Sequence, residues 1–226
     1  MTQQFKCLVT IIATAAALGA APGAAAQSAG QWTAKMGFNK ITPKVKSGDV
    51  SAPALPGTKA DVGSDTEPVF IFAYGLTDNI SAQLDLGLPY SHKIYGAGSI
   101  QGTGLLGTVE ALPPTAFIQY RLFAPSAQIR PFVGLGLTYA RFQKARGSAA
   151  LTALTNPGGP PTTFKIDNKF AGTLQAGVVY NINERWFADV TILKTFLKTR
   201  VHYSTGQTQD MTLDPQSVSL ALGYKF

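Results

Sequence analysis

The two histidines, His92 and His202, are the residues of this sequence that could act as general bases near neutral pH. Nucleophilic catalysis needs a nucleophile, a base and an orienting group within reach of one another. Ser91 precedes His92 and Asp210 follows His202, but sequence neighbours on a loop rarely form a triad. Neither a nucleophile elbow nor a metal-ligand spacing accompanies them. The sequence therefore predicts no enzyme, no metal and no cofactor, with both histidines in solvent-exposed loops.

A second set of polar residues alternates with apolar ones, which predicts that it faces the interior of a β-barrel. Charged side chains in such an interior need partners. Because both signs of charge are present, we expect a hydrogen-bonded plug that serves stability. Its predicted members are Lys35, Gln119, Arg121, Arg141, Gln175, Asp189 and Lys225.

Apolar residues are also predicted on the inward side. They would be wasteful in a simple plug, but they suit a funnel for an apolar ligand. Asp85 is the one charge among them, where such a channel would prefer an apolar side chain. The candidates for lining the channel are Ile71, Asp85, Phe117 and Leu193 in the lumen, with Phe164, Phe196 and Leu197 near the outer rim.

Prolines at the outer ends of the predicted strands mark a candidate exit from this channel. Proline cannot donate to a strand ladder, so a lateral gap could open beside it. The candidates are Pro68, Pro113, Pro114 and Pro215. We expect a lateral exit beside Pro113 and Pro114. The alternative is that these prolines only begin or end strands.

The stretch 217–226 indicates how these residues are positioned. It alternates without a break over ten residues, the length that a tilted strand needs to cross a bilayer. Its apolar face carries Val218, Leu220, Leu222, Tyr224 and Phe226. With this closing strand, the sequence predicts eight strands: one from residue 31, then 68–76, 80–88, 112–122, 130–143 and 169–180, one from residue 186, and 217–226.

The connections alternate in length, as in outer-membrane barrels with short periplasmic turns and long outside loops. The predicted long loops are residues 42–67, 89–111, 144–168 and 201–213. Aromatic girdles form at lipid–water boundaries, and the predicted periplasmic strand ends carry Trp32, Tyr74, Tyr120, Phe132, Tyr180, Trp186 and Tyr224. The predicted fold is therefore an all-β, eight-stranded antiparallel transmembrane β-barrel. A soluble β-sandwich or lipocalin-like barrel would bury its apolar face and need no such rim.

The first 26 residues read as a secretory signal peptide, with Lys6, an apolar stretch over residues 8–20 and small residues up to Ala26. We expect cleavage after Ala26 and one barrel domain over residues 27–226. The single cysteine, Cys7, would leave with the signal. The net charge is +7, but the basic residues are dispersed, so we expect no nucleic-acid partner and consider attraction to lipopolysaccharide instead.

Seven segments, in the order of the predicted strands, carry a family resemblance: Leu-Thr-Asp-Asn-Ile at 76–80, Pro-Tyr-Ser-His-Lys-Ile at 89–94, Leu-Pro-Pro-Thr at 112–115, Arg-Pro-Phe-Val-Gly-Leu-Gly-Leu-Thr-Tyr at 130–139, Gln-Ala-Gly-Val-Val-Tyr-Asn-Ile-Asn at 175–183, Leu-Asp-Pro at 213–215 and Gly-Tyr-Lys-Phe at 223–226. They resemble the OmpW family of small outer-membrane barrels, which includes the AlkL-type proteins. The resemblance implies an eight-stranded barrel with a hydrophobic channel that passes small apolar molecules inward. Asp85 departs from that pattern, and the loops at 42–67 and 144–168 differ in length and sequence.

The expected function is passive uptake of small hydrophobic molecules, which enter the lumen from the outside loops and leave sideways into the membrane. The alternative is a structural or interaction barrel whose outside loops bind surfaces, phage or host factors. The expected partners are membrane lipid, lipopolysaccharide, a small hydrophobic ligand and the outer-membrane assembly machinery, which would engage the C-terminal strand ending at Phe226.

Overall fold

The computed structural model describes residues 28–54 and 56–226. The predicted signal peptide, with Cys7, lies outside the described residues. No helix in the described part of the chain is long and apolar enough to span a membrane. The elements are β1 (Trp32–Thr42), β2 (Lys46–Ser47), β3 (Thr58–Val62), β4 (Asp65–Gly75), β5 (Ile80–Gly87), β6 (Tyr90–Gly98), β7 (Leu105–Leu112), β8 (Thr115–Arg121), β9 (Ile129–Gly147), α1 (Ala149–Thr155), β10 (Phe164–Ile166), β11 (Lys169–Asn181), β12 (Trp186–Phe196), β13 (Lys198–Tyr203), β14 (Thr208–Thr212) and β15 (Gln216–Lys225).

Eight of these strands form a closed antiparallel barrel in the order β1, β4, β5, β8, β9, β11, β12 and β15. The last strand, β15, closes the ring because it pairs with β1 on one side and with β12 on the other. Each wall strand therefore has two partners, and no wall strand is left with an entire unpaired edge toward lipid. The predicted eight-stranded barrel is confirmed.

The outside of this barrel wall is apolar and uncovered by protein. Alternate residues of β9 point outward, and Leu135 on that strand is 68 % exposed. Exposed Leu, Ile, Val and Phe side chains recur on the wall strands all around the barrel. A soluble protein rarely exposes so large an apolar patch, whereas a barrel in hydrocarbon requires it.

The predicted aromatic rim lies at the periplasmic end of the wall, and one of its predicted residues does not belong to it. Trp32 lies 5.0 Å from Tyr74 and Trp186 lies 5.0 Å from Tyr224, measured between ring centroids. The assignment of Phe132 to this rim was wrong. Even-numbered residues of this part of β9 point inward, so Phe132 is buried in the lumen.

The regions predicted as long loops form a second tier of β-structure, so their prediction as loops was wrong. The outer tier consists of β2, β3, β6, β7, β10, β13, β14 and the upper part of β9. β3, β6, β7 and β9 pair in that order, as do β10, β13, β14 and β2. On β13 the charged Lys198 and Arg200 point outward while Thr199 and Val201 are buried. The prediction required strands to have apolar outward side chains, so strands whose outward side chains are charged were assigned to loops.

Wall strands are interrupted where the two tiers meet. The interruptions are residues 43–45, 63–64, 88–89, 113–114, 167–168, 197 and 213–215, and only β9 continues through both tiers. Over most of the wall the outward side chains are apolar, charged ones such as Lys40 occur near the top of the wall strands, and above the junction Lys93 and Arg200 point outward. The change in outer chemistry marks the outer boundary of the apolar membrane.

Candidate functional site

The lower lumen is organised around a buried ion pair between Lys35 on β1 and Asp189 on β12. The Lys35 ammonium also donates to Gln83 Oε1 at 3.2 Å. Both charged side chains are almost fully buried. A buried charge is tolerated when it is paired and hydrogen-bonded, and this pair links β1 to β12 across the intervening strand β15.

Other polar side chains and a small aromatic cluster fill the lumen around this pair. Gln119 Oε1 accepts from Ser81 Oγ at 3.2 Å and from Arg121 Nη2 at 3.1 Å. Lys225 donates to Asn181 Oδ1 at 2.9 Å and lies 5.7 Å from the centroid of the Phe187 ring. Six of the seven predicted plug residues are buried here: Lys35, Gln119, Arg121, Gln175, Asp189 and Lys225. We call these six the polar plug.

Arg141 is not part of the plug, so its inward assignment was wrong. Ala140 is buried and Arg141 is exposed, which shows that odd-numbered residues of β9 point outward at this height. Its guanidinium therefore faces outward, near the boundary between the two tiers.

The predicted channel-lining residues divide into three groups. Ile71 and Phe117 are buried in the lumen, where Phe117 packs over Gly136, and neither belongs to the cavity lining described below. Phe196 is 53 % exposed on the outside, so its placement in the channel was wrong. It keeps the outward parity of β12 to the end of that strand. The remaining four candidates, Asp85, Phe164, Leu193 and Leu197, line one cavity.

This cavity lies above the polar plug, partly open, with a volume of about 140 Å³. An apolar cavity of about 150 Å³ in another protein stays dry and holds benzene, so the space suits one small ring. Most of its lining is apolar and comes from both tiers. Its outer-tier residues include Val62, Ile94, Leu106, Val109, Val201 and Met211.

A row of threonine hydroxyls lines the lower part of the cavity. Thr115, Thr138, Thr173 and Thr195 come from the neighbouring strands β8, β9, β11 and β12. Successive Oγ1 atoms are 2.8, 2.6 and 3.0 Å apart. We call these four residues the threonine row. They arise because alternation places one inward threonine at this height on each strand.

His92 also lines the cavity, so its prediction as a solvent-exposed residue was wrong. Its Nδ1 lies 2.8 Å from the Gly63 carbonyl oxygen, and its ring stacks on Tyr90 with 6.4 Å between centroids. Burial lowers the pKa of His92, although the bond to Gly63 and the charge of Asp65 oppose that shift. Ser91 points outward on the same strand, so it cannot present its hydroxyl to this ring.

His202 is exposed on the outside of β13, as predicted for a surface histidine. Its Nε2 lies 3.3 Å from Asp167 Oδ1, whereas Asp210 accepts from the Arg200 guanidinium. The His202–Asp210 pairing considered from the sequence does not occur. Within residues 28–54 and 56–226, no group of His, Asp or Glu side chains could hold a metal ion.

The wall has a gap in its strand ladder beside the cavity. Pairing between β5 and β8 ends at Asp85 with Thr115, and pairing between β6 and β7 resumes at Tyr90 with Ala111. We call residues 86–89 and 112–114 the ladder gap. It contains Pro113 and Pro114, together with Pro89, which was not among the sequence candidates. Leu86, 39 % exposed on the outer wall, also lines the cavity, so the cavity reaches the wall here.

The other two proline candidates lie in well-paired surroundings. Pro68 is opposite Phe38 within the β1–β4 ladder, and its carbonyl accepts from the Leu88 N–H at 3.3 Å. The Pro215 carbonyl accepts from the Thr195 N–H at 3.1 Å. The open ladder is therefore beside Pro113 and Pro114.

Sequence reasoning missed Tyr90, His92 and the upper lining, because their strands were assigned to loops. The signal was present in residues 90–94, where Tyr90, His92 and Ile94 alternate with Ser91 and Lys93. That pattern is the inverse of the lower wall, with the apolar residues inside.

Comparison with known proteins agrees with this architecture. Outer membrane protein W of Vibrio cholerae is 29% identical over 221 residues, which cover 95% of this chain and 97% of that protein. The dibenzothiophene metabolism operon protein PahQ of Pseudomonas aeruginosa is 27% identical over 202 residues, covering 86% and 88% of the two chains. The crystal structure of the outer membrane protein OprG from Pseudomonas aeruginosa matches with a TM-score of 0.79 at 25% identity, covering 88% of this chain and 97% of that one.

The family relationship and the fold agree on where the protein resides. The barrel and its exposed apolar wall fit an outer-membrane location, which is also that of the similar proteins. A model of the OmpW family matches residues 28–226. The chain belongs to the OmpW family.

Proposed function

We propose that the protein is a passive channel through which small hydrophobic molecules cross the outer membrane without energy input. The observation that carries this proposal is the apolar cavity above the polar plug. A barrel of eight strands is too narrow for a wide water-filled pore, but it can hold one small ligand. An apolar cavity is poorly suited to ions or sugars, so hydrophobic molecules are its natural ligands.

The name of one relative supports this choice of ligand. PahQ is named as a protein of a dibenzothiophene metabolism operon. Dibenzothiophene is an apolar aromatic compound, and the cavity of this chain suits an aromatic ring by its lining and its volume. We therefore expect aromatic hydrocarbons among the molecules carried.

The ladder gap supports lateral release over passage straight down. Moving a ligand from the cavity through the polar plug would cost about 0.8 kcal/mol for each methylene taken out of apolar surroundings. Release through the gap would take the ligand from an apolar cavity into hydrocarbon, without that cost. Pro89 and Pro113 favour an open gap because neither can donate to the ladder, whereas the backbone of Pro114 faces β9, where its carbonyl accepts from the Tyr139 N–H.

The experiment compares naphthalene uptake by cells that carry the protein with uptake by cells that lack it. We expect several-fold faster uptake with the protein and no effect of abolishing the proton gradient. The proposal would be contradicted if naphthalene and other apolar compounds were all taken up equally fast by cells with and without the protein. Phe164→Arg, which puts a cation into the cavity, is expected to abolish the difference, whereas the matched change Phe196→Arg on the outer face should retain it.

A second candidate function, an interaction barrel, is favoured by the charged outer face of the second tier. Lys93, Lys198 and Arg200 point outward there, where the phosphates of lipopolysaccharide would lie. We propose lipopolysaccharide as a partner of this face and the assembly machinery as a partner of β15. Substituting these three basic residues by Gln should weaken lipopolysaccharide binding but leave uptake intact if transport is the function.

A further inference from the structure

The protons of the threonine row all point the same way. The Thr115 hydroxyl lies 3.1 Å from the Pro113 carbonyl oxygen, which can only accept, so Thr115 donates to it. A hydroxyl has one proton. Thr138 must therefore donate to Thr115, then Thr173 to Thr138 and Thr195 to Thr173. The four hydroxyls have no proton left for a ligand, but they retain lone pairs.

His92 presents an acceptor for the same kind of reason. The Gly63 carbonyl can only accept, so Nδ1 carries the proton of their 2.8 Å hydrogen bond. The neutral ring then has a lone pair on Nε2. Nε2 has no hydrogen-bond partner among residues 28–54 and 56–226, although the side chain is only 5 % exposed and lines the cavity.

Gln209, another polar residue of the lining, is satisfied within the protein. Its amide donates to Ser47 Oγ at 2.8 Å and to the Gly48 carbonyl at 3.0 Å. Its Oε1 accepts from the Tyr203 hydroxyl at 2.8 Å. Donor protons remain on Tyr90, whose hydroxyl accepts from Asn39 at 2.9 Å, and on the serines of β15. At His92 Nε2 itself, however, the missing hydrogen-bond partner is a donor.

We propose that the cavity selects small apolar molecules that carry one hydroxyl group, such as aromatic alcohols and phenols, over hydrocarbons of the same shape, and that His92 Nε2 accepts the hydroxyl proton. This inference rests on the proposed function, because it names the ligand class of the same cavity. A hydrocarbon that fills the cavity excludes water from Nε2 and leaves a buried acceptor unpaired. A hydroxyl restores the hydrogen bond while the rest of the ligand stays in contact with apolar side chains.

The test compares 2-phenylethanol with propylbenzene, which carries a methyl group in place of the hydroxyl. Uptake rates are measured in cells with and without the protein, and the rate of cells lacking it is subtracted. We expect the protein-dependent rate to favour the alcohol by about three- to tenfold, the range for one net hydrogen bond. This comparison uses the unaltered protein, so it does not depend on whether a variant folds.

Two variants assign the effect to His92. His92→Phe keeps an aromatic ring beside Tyr90 but removes the acceptor, so the ratio of the two protein-dependent rates should fall to about one. The β3–β6 ladder and the Gly63 N–H bond to the Lys93 carbonyl at 2.8 Å should hold the fold. His202→Phe, on the outer face, is the matched control and should retain the preference.

The outcomes distinguish a failure of the hydroxyl selectivity from a failure of the channel function. If both compounds depend on the protein but equally, or if His92→Phe keeps the preference, the hydroxyl inference is wrong while the channel stands. If neither compound depends on the protein, the channel itself is wrong and the inference fails with it.

Discussion

Lys35 and Asp189 form a charge pair whose two side chains are almost fully buried in the lower lumen. Asp189→Asn should destabilise the barrel by about 3–5 kcal/mol, because it removes the carboxylate that is paired with the buried Lys35 ammonium. The measurement is urea unfolding of the protein in detergent micelles. Replacing both partners, as in Lys35→Met with Asp189→Leu, should recover most of that loss.

An exposed pair is the control for this experiment. Arg200 and Asp210 form a two-bonded pair on the outside of the outer tier, in contact with water. Asp210→Asn should have little measurable effect on stability, since exposed pairs contribute little. Equal losses for Asp189→Asn and Asp210→Asn would show that burial of the lumen pair does not matter.

The pKa of His92 is a second prediction about a single residue. Burial disfavours the imidazolium, so the folded pKa should lie below the value of about 6.5 for a free histidine. As the pH falls through 6.5 toward the folded pKa, the unfolded chain binds a proton that the folded chain does not, so stability decreases. Above 6.5 both states are neutral and the contribution is constant.

NMR titration of the His92 ring protons in micelles measures this pKa. Asp65→Asn should lower it further, because the Asp65 carboxylate favours the protonated ring. A midpoint at or above 6.5 would contradict the buried, neutral ring on which the hydroxyl selectivity depends.

At the scale of strands, the ladder gap makes the clearest prediction. Pro113→Ala combined with Pro114→Ala restores two backbone donors. The Pro114 carbonyl accepts from the Tyr139 N–H of β9, so by alternation the donor at 114 faces β9 and the donor at 113 faces residues 86–89, where the ladder between the β5–β6 and β7–β8 segments can close. Uptake of an apolar compound should fall several-fold while the barrel still assembles. The matched control is Pro131→Ala in β9, where the chain is already paired opposite Val178. Unchanged uptake in the double variant would remove the lateral exit.

The strands also show what the sequence could and could not predict. The wall strands were predictable because lipid outside and a packed lumen inside require strict alternation, as in Leu220, Leu222 and Tyr224 of β15. The outer tier has water outside, so its alternation is inverted, as in Lys198 and Arg200 against Thr199 and Val201. Its strands are also joined by Pro- and Gly-rich breaks, which are typical of loops.

Errors at single positions have a different cause. Arg141 on β9 and Phe196 on β12 both keep the outward parity of their unbroken strands, so a strict count along each strand places them outside. The cavity lining depends on side chains from strands far apart in sequence, such as His92 on β6 and Leu193 on β12. The periodicity of one strand does not show which residues of distant strands line the same cavity.

For the whole molecule, the two tiers predict how deeply it sits in the bilayer. The apolar wall ends at the tier junction, so the outer tier should project from the membrane as a β-structured rim around the cavity entrance. The molecule should therefore require detergent to remain monodisperse, because the wall has no protein cover. A stable monodisperse solution in plain buffer would contradict the membrane assignment and the transport proposal together.

The depth of the opposite end can be measured with the two tryptophans of the chain. Trp32 and Trp186 are both exposed at the periplasmic rim, beside Tyr74 and Tyr224, where indole rings lie at the headgroup level. Lipids brominated near the carbonyl groups should therefore quench their fluorescence more strongly than lipids brominated near the chain ends. Trp32→Phe leaves Trp186 alone and should show the same order, since both rings lie on one girdle. Stronger quenching by the deep bromines in either protein would place this rim inside the hydrocarbon. The tier junction would then lie above the outer surface of the hydrocarbon, and the ladder gap could not release a ligand into it.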